Sequence, residues 1–596
     1  MPSPGRRLGL GLSSSGQKLL QRLQQRGHLD ALAERGHDSS DFCKSHWQNN
    51  NVLMIVGAVG AVTRLIAPQI RGKQHDPAVV VLDPQGRWCI PLLGGHSSGA
   101  EQLAREIAAE LGGAAVLTGA CSSERRLALD CLGYLWGWRR GGSVEAWRDL
   151  MKAQARGEEA LSSQSSGNKA WHQGCDNALL RQITSPTIDH SDVQLSIGPK
   201  LLAPCRWHPA SLWIGVGCER HTSQRLVDRA IQQSLKEAGL APEAIAGLAS
   251  ADRKNDEAAL LQLCKQESWP MRTYSSEQLH QVAVPTPSQQ VMAEMGTASV
   301  AEAAALLAAG DDGILRQAKR ITHAGEGERG AVTVAIAEAV APFAPQRGEL
   351  HLIGSGPGDP SLLSGDARRA LERCVAWVGY SLYLDLLEPL RQPEQVRVDG
   401  QLTREWDRCA EALALAKQGA RVALISSGDS GIYGMAGLAM ELWLQEPPDE
   451  RPSFTVHPGI SALQLAAAKA GAPLMHDFCT ISLSDRLTPW HVIEQRVKSA
   501  ATGDFVVALY NPRSKDRDWQ LERTKELLLA ERPGSTPVVL ARQLGRQEEH
   551  IQHSTLKNLD PNSVDMLTLV LIGNSSTYAR DGRMVTPRGY PGATLK

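Results

Sequence analysis

The 596-residue chain predicts a multi-domain α/β architecture, and three observations carry that reading. At about 150 residues per domain the length suggests roughly four units, more than one hydrophobic core. Strand-like apolar runs alternate with segments of helical periodicity along most of the chain. The composition is ordinary for a globular protein, with 42% hydrophobic and 21% charged residues and a mean hydropathy of -0.25.

The elements follow in order. MPSPGRRLGLGLSSSGQKLLQRLQQRG has a charged start and a short, glycine-broken apolar stretch, and reads as mature cytoplasmic protein. NVLMIVGAVGAVTRLIAPQI is apolar with glycine breaks, AVVVLDPQGRWCIPLL reads as strand, turn, strand, and EQLAREIAAELGG sets Leu103, Ile107, Ala108 and Leu111 on one helical face. GEEALSSQSSGNKAWHQG, 157–174, is polar and turn-rich and reads as a surface loop or linker. A second break, SIGPKLLAPCRWHPAS at 196–211, precedes the strand LWIGVGC. RLVDRAIQQSLKEAGL and NDEAALLQLCKQE are amphipathic helices, and Pro342, Pro345 and Gly348 punctuate a third break. Beyond it HLIG, VAWVG, RVALISS, SFTVHPG, CTISL, DFVVALY, TPVVLARQ and TLVLIG are strand candidates, with helical segments between most of them. No short internal repeat points to a solenoid.

Several function classes lose support at once. Net charge is -1, so no global basic field draws in nucleic acid or an anionic membrane. No apolar run reaches the roughly 18 residues of a membrane-spanning helix. The eleven cysteines are dispersed without a C-x-x-C pair, and no H-E-x-x-H occurs, which predicts reduced thiols and no protein-held metal.

GELHLIGSGPGDPSLLSGDARRAL, from 348 to 371, reads as a strand, a glycine-rich loop and a helix. Asp359 stands where a G-x-G-x-x-G fingerprint needs its third glycine, and no lysine is present for a Walker A loop. Pro357 removes an N–H donor, so a phosphate cradle is physically poor. Similar loops follow later strands: SSGDSGIYGMAG at 426–437, VHPGISALQLAA at 456–467 and LYNPRSKDR at 509–517. In a parallel sheet such loops gather at one edge, where they would line a backbone-rich pocket for a compact polar ligand. The residue types also suit plain structure: GSGPGDP as a turn, Ser461 as a helix cap, Asn511 before Pro512 as a turn residue.

GSGPGDP, SSGDSGIYGMA, HPGISA, TPWHVIE and YNPRSKDR, in this order, resemble the tetrapyrrole methyltransferases, and within them the precorrin-3B C-17 methyltransferase group, CobJ/CbiH. The resemblance implies two α/β subdomains over 348–596 with S-adenosyl-L-methionine in the cleft between them. It places Pro357 toward the tetrapyrrole, and Gly428, Asp429, Ser461, Ala462, Tyr510 and Asn511 around the cofactor. Ser430 stands where many relatives carry proline. Ring contraction requires proton movement, for which Asp359, Asp429, Tyr380 and His457 are candidates; Arg368, Arg513 and Arg517 are candidates for substrate carboxylates.

In the first half, GGHSSGAEQLA, LWIGVGCERHTS, LASADRKNDEAALL and GTASVAEAAALLAAG resemble the CbiG family, the cobalt-precorrin-5A hydrolases, which open a lactone and release acetaldehyde. The implied units are 1–120, 121–209 with a linker, and 210–343. Candidate residues are His96, Glu101, Cys218, Glu219, Lys254, Asp256 and Glu302; Glu101 stands where relatives usually have asparagine. On residue type alone, His96 is more often a loop residue than a catalyst, and Cys218 a small buried hydrophobe. Together the resemblances imply a bifunctional corrin-biosynthesis enzyme acting on a tetrapyrrole, with cobalt only as part of the substrate, no nucleic-acid or membrane partner, and room for a homodimer through the methyltransferase unit. The alternatives are a methyltransferase carrying a non-catalytic CbiG-like binding module, and a superfamily methyltransferase acting on RNA or protein.

Overall fold

The computed structural model describes residues 6–34, 36–72, 75–95, 98–118, 127–173, 179–182, 192–392, 394–401, 404–514 and 517–591. The first sheet has the strand order Ala31–Leu32, Arg7–Gly11, Val52–Val56, Ala78–Leu82, Trp88–Leu93, Ala114–Ala115. Its pairings are parallel except Ala78–Leu82 with Trp88–Leu93, the strand, turn, strand pattern of the sequence. Every residue of Ala78–Leu82 is buried, as helices on both faces of a parallel sheet require.

Five strands make a second sheet, in the order Arg139–Gly141, Cys205–His208, Leu195–Ile197, Ala160–Gln164, Leu180–Gln182. The polar stretch 157–174 is therefore not a linker, because it supplies strand Ala160–Gln164. Trp171 in the same stretch is buried, and its Nε1 donates to Gln164 Oε1 at 3.0 Å. The second expected break, 196–211, likewise contributes to two paired strands. Here tryptophan replaces the aliphatic runs from which strands are usually read. Trp136, Trp138, Trp147 and Trp207 are buried with Trp171, and this core runs without interruption into Leu350, Val378, Val396 and Ala416 of the next unit.

The third sheet is ordered Met271–Tyr274, Ile245–Ala251, Leu212–Cys218, Ala331–Glu338, Ile314–His323. Helix Gln224–Ala238 packs into one of its cores and helix Val300–Ala309 into another. The C-terminal unit holds a wholly parallel sheet, Val396–Gly400, Ala376–Tyr380, Arg421–Ser426, Glu349–Gly354, Ser453–His457. It is followed by a mixed sheet, Phe478–Ser482, Val506–Tyr510, Thr568–Ile572, Pro537–Arg542, His550–Thr555. A small sheet of Gly471–Ala472, Arg583–Val585 and Tyr578–Arg580 lies beside it. All eight strands expected after residue 348 are present; Val396–Gly400 and His550–Thr555, at the sheet edges, carry weaker apolar patterns. Among the described residues no single helix is long and apolar enough to cross a membrane.

The units are tied together. Helix Ala100–Leu111 lies against helix Gly365–Arg373, with Arg369 Nη1 2.7 Å from Glu110 Oε2. The Arg272 guanidinium sits 4.3 Å from the Trp213 ring centroid and 4.4 Å from that of Phe343, and pairs with Glu450 at 3.1 Å. In the tryptophan-rich unit, Leu135 O accepts from Arg421 N at 3.1 Å and Gly137 O from Arg347 Nη1 at 3.0 Å. Gly137 has φ +72°, and a Cβ there would stand 2.3 Å from Gly419 O. Gly137→Ala is expected to cost about 2 kcal/mol or more through backbone strain and overlap. Gly157→Ala, at a φ of +80° with open space around it, is expected to cost about 1 kcal/mol. Thermal unfolding of the two variants checks this, and equal shifts would count against the joint.

Candidate functional site

Three loops at the carboxyl ends of parallel strands meet backbone against backbone. Gly356 N donates to Gly428 O at 3.1 Å, and Gly428 N to Gly356 O at 2.7 Å. A Cβ on Gly354 would stand 2.5 Å from Gly459 N, and one on Gly459 2.2 Å from Gly428 O and 2.5 Å from Gly354 O. Real side chains do not approach so closely, so only glycine permits the junction. Asp429 staples it: Oδ1 accepts from Gly431 N at 2.8 Å and Oδ2 from Gly459 N at 3.0 Å.

These loops form one wall of a cleft of about 180 Å³ between the two C-terminal sheets. Pro357, Gly428, Asp429, Ser461, Ala462, Tyr510 and Asn511, seven residues singled out from the sequence, all line it. Ser461 is also a helix cap: its Oγ accepts from Gln464 N at 3.2 Å, and Gln464 Oε1 accepts from Ser461 N at 2.8 Å. Tyr510 OH accepts from Leu463 N at 3.1 Å, and burial raises its pKa. Asn511 takes φ +51° and donates from Nδ2 to Ser482 Oγ at 3.1 Å. The opposite wall, from residues 541–546 and 566–569, carries none of the sequence motifs. Tyr383, Tyr433 and Arg546 also face the cleft, with the Tyr433 and Tyr510 ring centroids 5.0 Å apart.

Residues 349–560 match the family model of the tetrapyrrole (corrin/porphyrin) methylases, 212–337 that of the cobalamin synthesis G C-terminus, and 41–122 that of the cobalamin synthesis G N-terminal region. Over 241 residues, 40% of this chain and 99% of the relative, identity is 46% to a protein named probable cobalt-factor III C(17)-methyltransferase from Salmonella typhimurium. Over 254 residues, 41% of this chain and 99% of the relative, it is 41% to the precorrin-3B C(17)-methyltransferase of Sinorhizobium sp. The chain belongs to the tetrapyrrole methylase family. A third relative of this methylase, the cobalt-factor III methyltransferase of Priestia megaterium, is 43% identical over 41% of this chain and 45% of its own length. The solved structure of the methyltransferase CobJ is 38% identical, with a TM-score of 0.39, over 40% of the methylase chain and 100% of its own.

The remaining candidates in the methylase unit lie around the cleft rather than in it. Asp359 is exposed and caps a short helical turn; the backbone hydrogen bond from Ser361 lowers its pKa. Tyr380 packs edge-on against Tyr383 at 5.2 Å. The three arginines do not converge. Arg513 holds Pro561 O and Asn562 Oδ1, each at 2.8 Å. Arg517 is 4% exposed and donates to Asn511 O at 2.9 Å, bracing the loop. Arg368 faces a different cavity. Among the described residues the arginine that lines the cleft is Arg546, four residues beyond the end of strand Pro537–Arg542.

In the first half, His96 lies outside the described residues. Glu101 is buried at the start of helix Ala100–Leu111. Cys218, Glu219, Lys254 and Asp256 gather at the ends of strands Leu212–Cys218 and Ile245–Ala251. Arg220 joins Asp256 there at 2.5 Å, and buried Glu257 lies 4.0 Å from Lys254. Burial pushes the Cys218 thiol up to about 11, so it is uncharged at neutral pH. Glu257 escaped notice because NDEAALL reads as a helix start. Glu302 is elsewhere: fully buried, its Oε1 accepts from Thr286 Oγ1 at 2.7 Å and from Lys319 N at 3.0 Å.

His457 does not line the cleft. It links Asp366 to a buried chain, with its Nε2 3.0 Å from His351 Nδ1 and His351 Nε2 2.9 Å from Glu349 Oε2. Burial lowers the His457 pKa against the pull of Asp366. Burial alone would raise Glu349, but His351, Arg421 and Arg373 override it and bring its pKa from 4.5 down to about 2. A depressed carboxylate contributes stability that is present above its unfolded pKa and is lost as pH falls through the folded one, here on the order of 3 kcal/mol. Glu349→Gln is expected to flatten the acid limb of urea-unfolding stability between pH 4.5 and 2. An unchanged acid limb would remove Glu349 as its source.

Proposed function

We propose that residues 348–596 carry out S-adenosyl-L-methionine-dependent methylation at C-17 of precorrin-3B or cobalt-factor III, with ring contraction, in cobalamin biosynthesis. We propose further that the first half is a cobalt-precorrin-5A lactone hydrolase. The observation that carries the first reading is the cleft that Pro357, singled out for the tetrapyrrole, shares with all six residues singled out around the cofactor. Its support from relatives is identity along 99% of the length of two proteins named as C(17)-methyltransferases. The second reading rests on the cobalamin synthesis G matches on both sides of the tryptophan-rich unit.

The cleft suits this cofactor chemically. A sulfonium cation is served by oxygen acceptors and aromatic faces, and the lining offers the Tyr433 and Tyr510 rings with loop backbone groups. Asp429 and Arg546 are the charged lining side chains. S-adenosyl-L-methionine supplies an electrophilic methyl group when bound. The protein's part is positional, since fixing two reactants in a near-attack arrangement is worth roughly 7–11 kcal/mol. The glycine-bonded loops fix the floor, Asp429 holds them in register, Arg517 braces the Asn511 turn, and Arg546 is placed to pair with a substrate carboxylate.

Mass spectrometry of the product formed from precorrin-3B or cobalt-factor III with S-adenosyl-L-methionine tests the assignment. Gain of one methyl group on either substrate is expected, together with acetaldehyde release from cobalt-precorrin-5A by the same chain. No methyl gain on either substrate would overturn the methyltransferase reading. Methyl gain without acetaldehyde would leave the first half as a binding module.

A further inference from the structure

A second cavity, of about 480 Å³, opens where the first unit meets the methylase unit. Helix Ala100–Leu111 and residues 112–117 form one side, and helix Gly365–Arg373 with Gln392 the other. The charges at this junction are mostly paired: Arg369 with Glu110 at 2.7 Å, and Arg373 with Glu349 at 3.1 Å and Glu106 at 4.0 Å. Two groups facing the cavity, Arg368 and Glu372, depart from that pattern, and a third, Arg105, is paired only at its far side. Arg368, half-buried, makes no side-chain hydrogen bond or ion pair among the described residues. Arg105 reaches in from the opposite helix, held by Gln392 Oε1 at 2.5 Å and 3.7 Å from Glu394. Glu372, on the cavity wall, has its Oε2 buried without a hydrogen-bond partner.

A buried polar atom without a partner is destabilising, and a half-buried guanidinium without an ion pair beside it adds to that cost. An anion between Arg105 and Arg368 would relieve both, because it pairs with the two cations and accepts a proton shared with Glu372. We propose that this interdomain cavity is a binding site for a carboxylate, gripped by Arg105 and Arg368 and hydrogen-bonded by the Glu372 carboxylic acid. Two sources have that chemistry: a small organic acid, and one carboxylate arm of a larger macrocycle. The site is separate from the methyl-transfer cleft, and its existence does not depend on the reaction proposed for that cleft.

Burial raises Glu372 to about 7 against Arg368, Arg105 and Arg369, with Glu106 acting in the same direction as burial. Glu394, outside the lining, pairs with Arg105 at 3.7 Å. Below that pKa Glu372 is a neutral donor and favours an anion. Above it Glu372 is an anion itself and repels one, so affinity falls as pH rises.

Calorimetric titration of the full-length chain with succinate, and separately with the polycarboxylated porphyrin uroporphyrin I, tests the site. At least one probe is expected to bind saturably, and Arg105→Ala and Arg368→Gln are each expected to weaken it about tenfold or more, since a buried charge pair is worth more than about 1.4 kcal/mol. Affinity should rise severalfold from pH 8 to 6.5 in the wild type. Glu372→Gln, a permanent neutral donor, should bind at pH 8 as the wild type does at 6.5. Succinate binding identifies a small-acid site, and porphyrin binding alone identifies a macrocycle edge. No saturable binding of either probe, or Arg368→Gln binding both as the wild type does, overturns the proposal.

Discussion

Around residues 354, 428 and 459 three loops come so close that a methyl group on any of several positions would meet another loop's backbone, at 2.2 Å from Gly428 O in the tightest case. The approach locks the carboxyl ends of Glu349–Gly354, Arg421–Ser426 and Ser453–His457 into one surface and directs what surrounds them. Asp429, with both oxygens taking backbone N–H groups, closes the loops. Gly428 at φ +67° turns the chain toward the cleft, and the Ser461 cap begins the next helix directly behind it. A floor built this way needs little rearrangement to hold a ligand, and such preorganisation is what group transfer between two bound partners requires of a protein.

The first half of the chain is not an appendage on a flexible tether. The tryptophan-rich unit shares a continuous apolar core with the parallel sheet of the methylase, the first unit meets the methylase through paired charges between two helices, and Arg272 clamps the third unit through Trp213, Phe343 and Glu450. Tethering by packed surfaces holds the N-terminal residue cluster and the cleft of the methylase unit at fixed separation, whereas a mobile linker would set only an effective concentration.

Much of this was legible in the sequence because strands buried on both faces announce themselves: HLIG, RVALISS and DFVVALY have no other plausible place. The glycine-rich wall of the cleft was legible through glycine and proline spacing. The opposite wall was not, because Ala541–Leu544 and Met566–Leu569 are ordinary strand-end residues whose place depends on how the second sheet docks. The arginines fell to the same limitation. Charge is visible in a sequence, but whether a guanidinium is spent on Asn511 O, as in Arg517, or stands in the cleft, as in Arg546, is decided by tertiary packing. The 157–174 stretch misled because its serines and glycines read as loop, while Trp171 and Ala160 supply the burial that makes it a strand and a turn.

Glycine-only contact among three loops builds the floor of the cleft, and titration of Gly459→Ala with S-adenosylhomocysteine shows whether that floor holds the proposed cofactor. A Cβ at 459 meets Gly428 O and Gly354 O at 2.2 and 2.5 Å, whereas one at Gly437, in the neighbouring helix Ala436–Gln445, meets nothing within 4 Å. Gly459→Ala is expected to weaken binding about a hundredfold or more, equivalent to roughly 3 kcal/mol, while Gly437→Ala binds as the wild type does. Equal affinity in the two variants would contradict it.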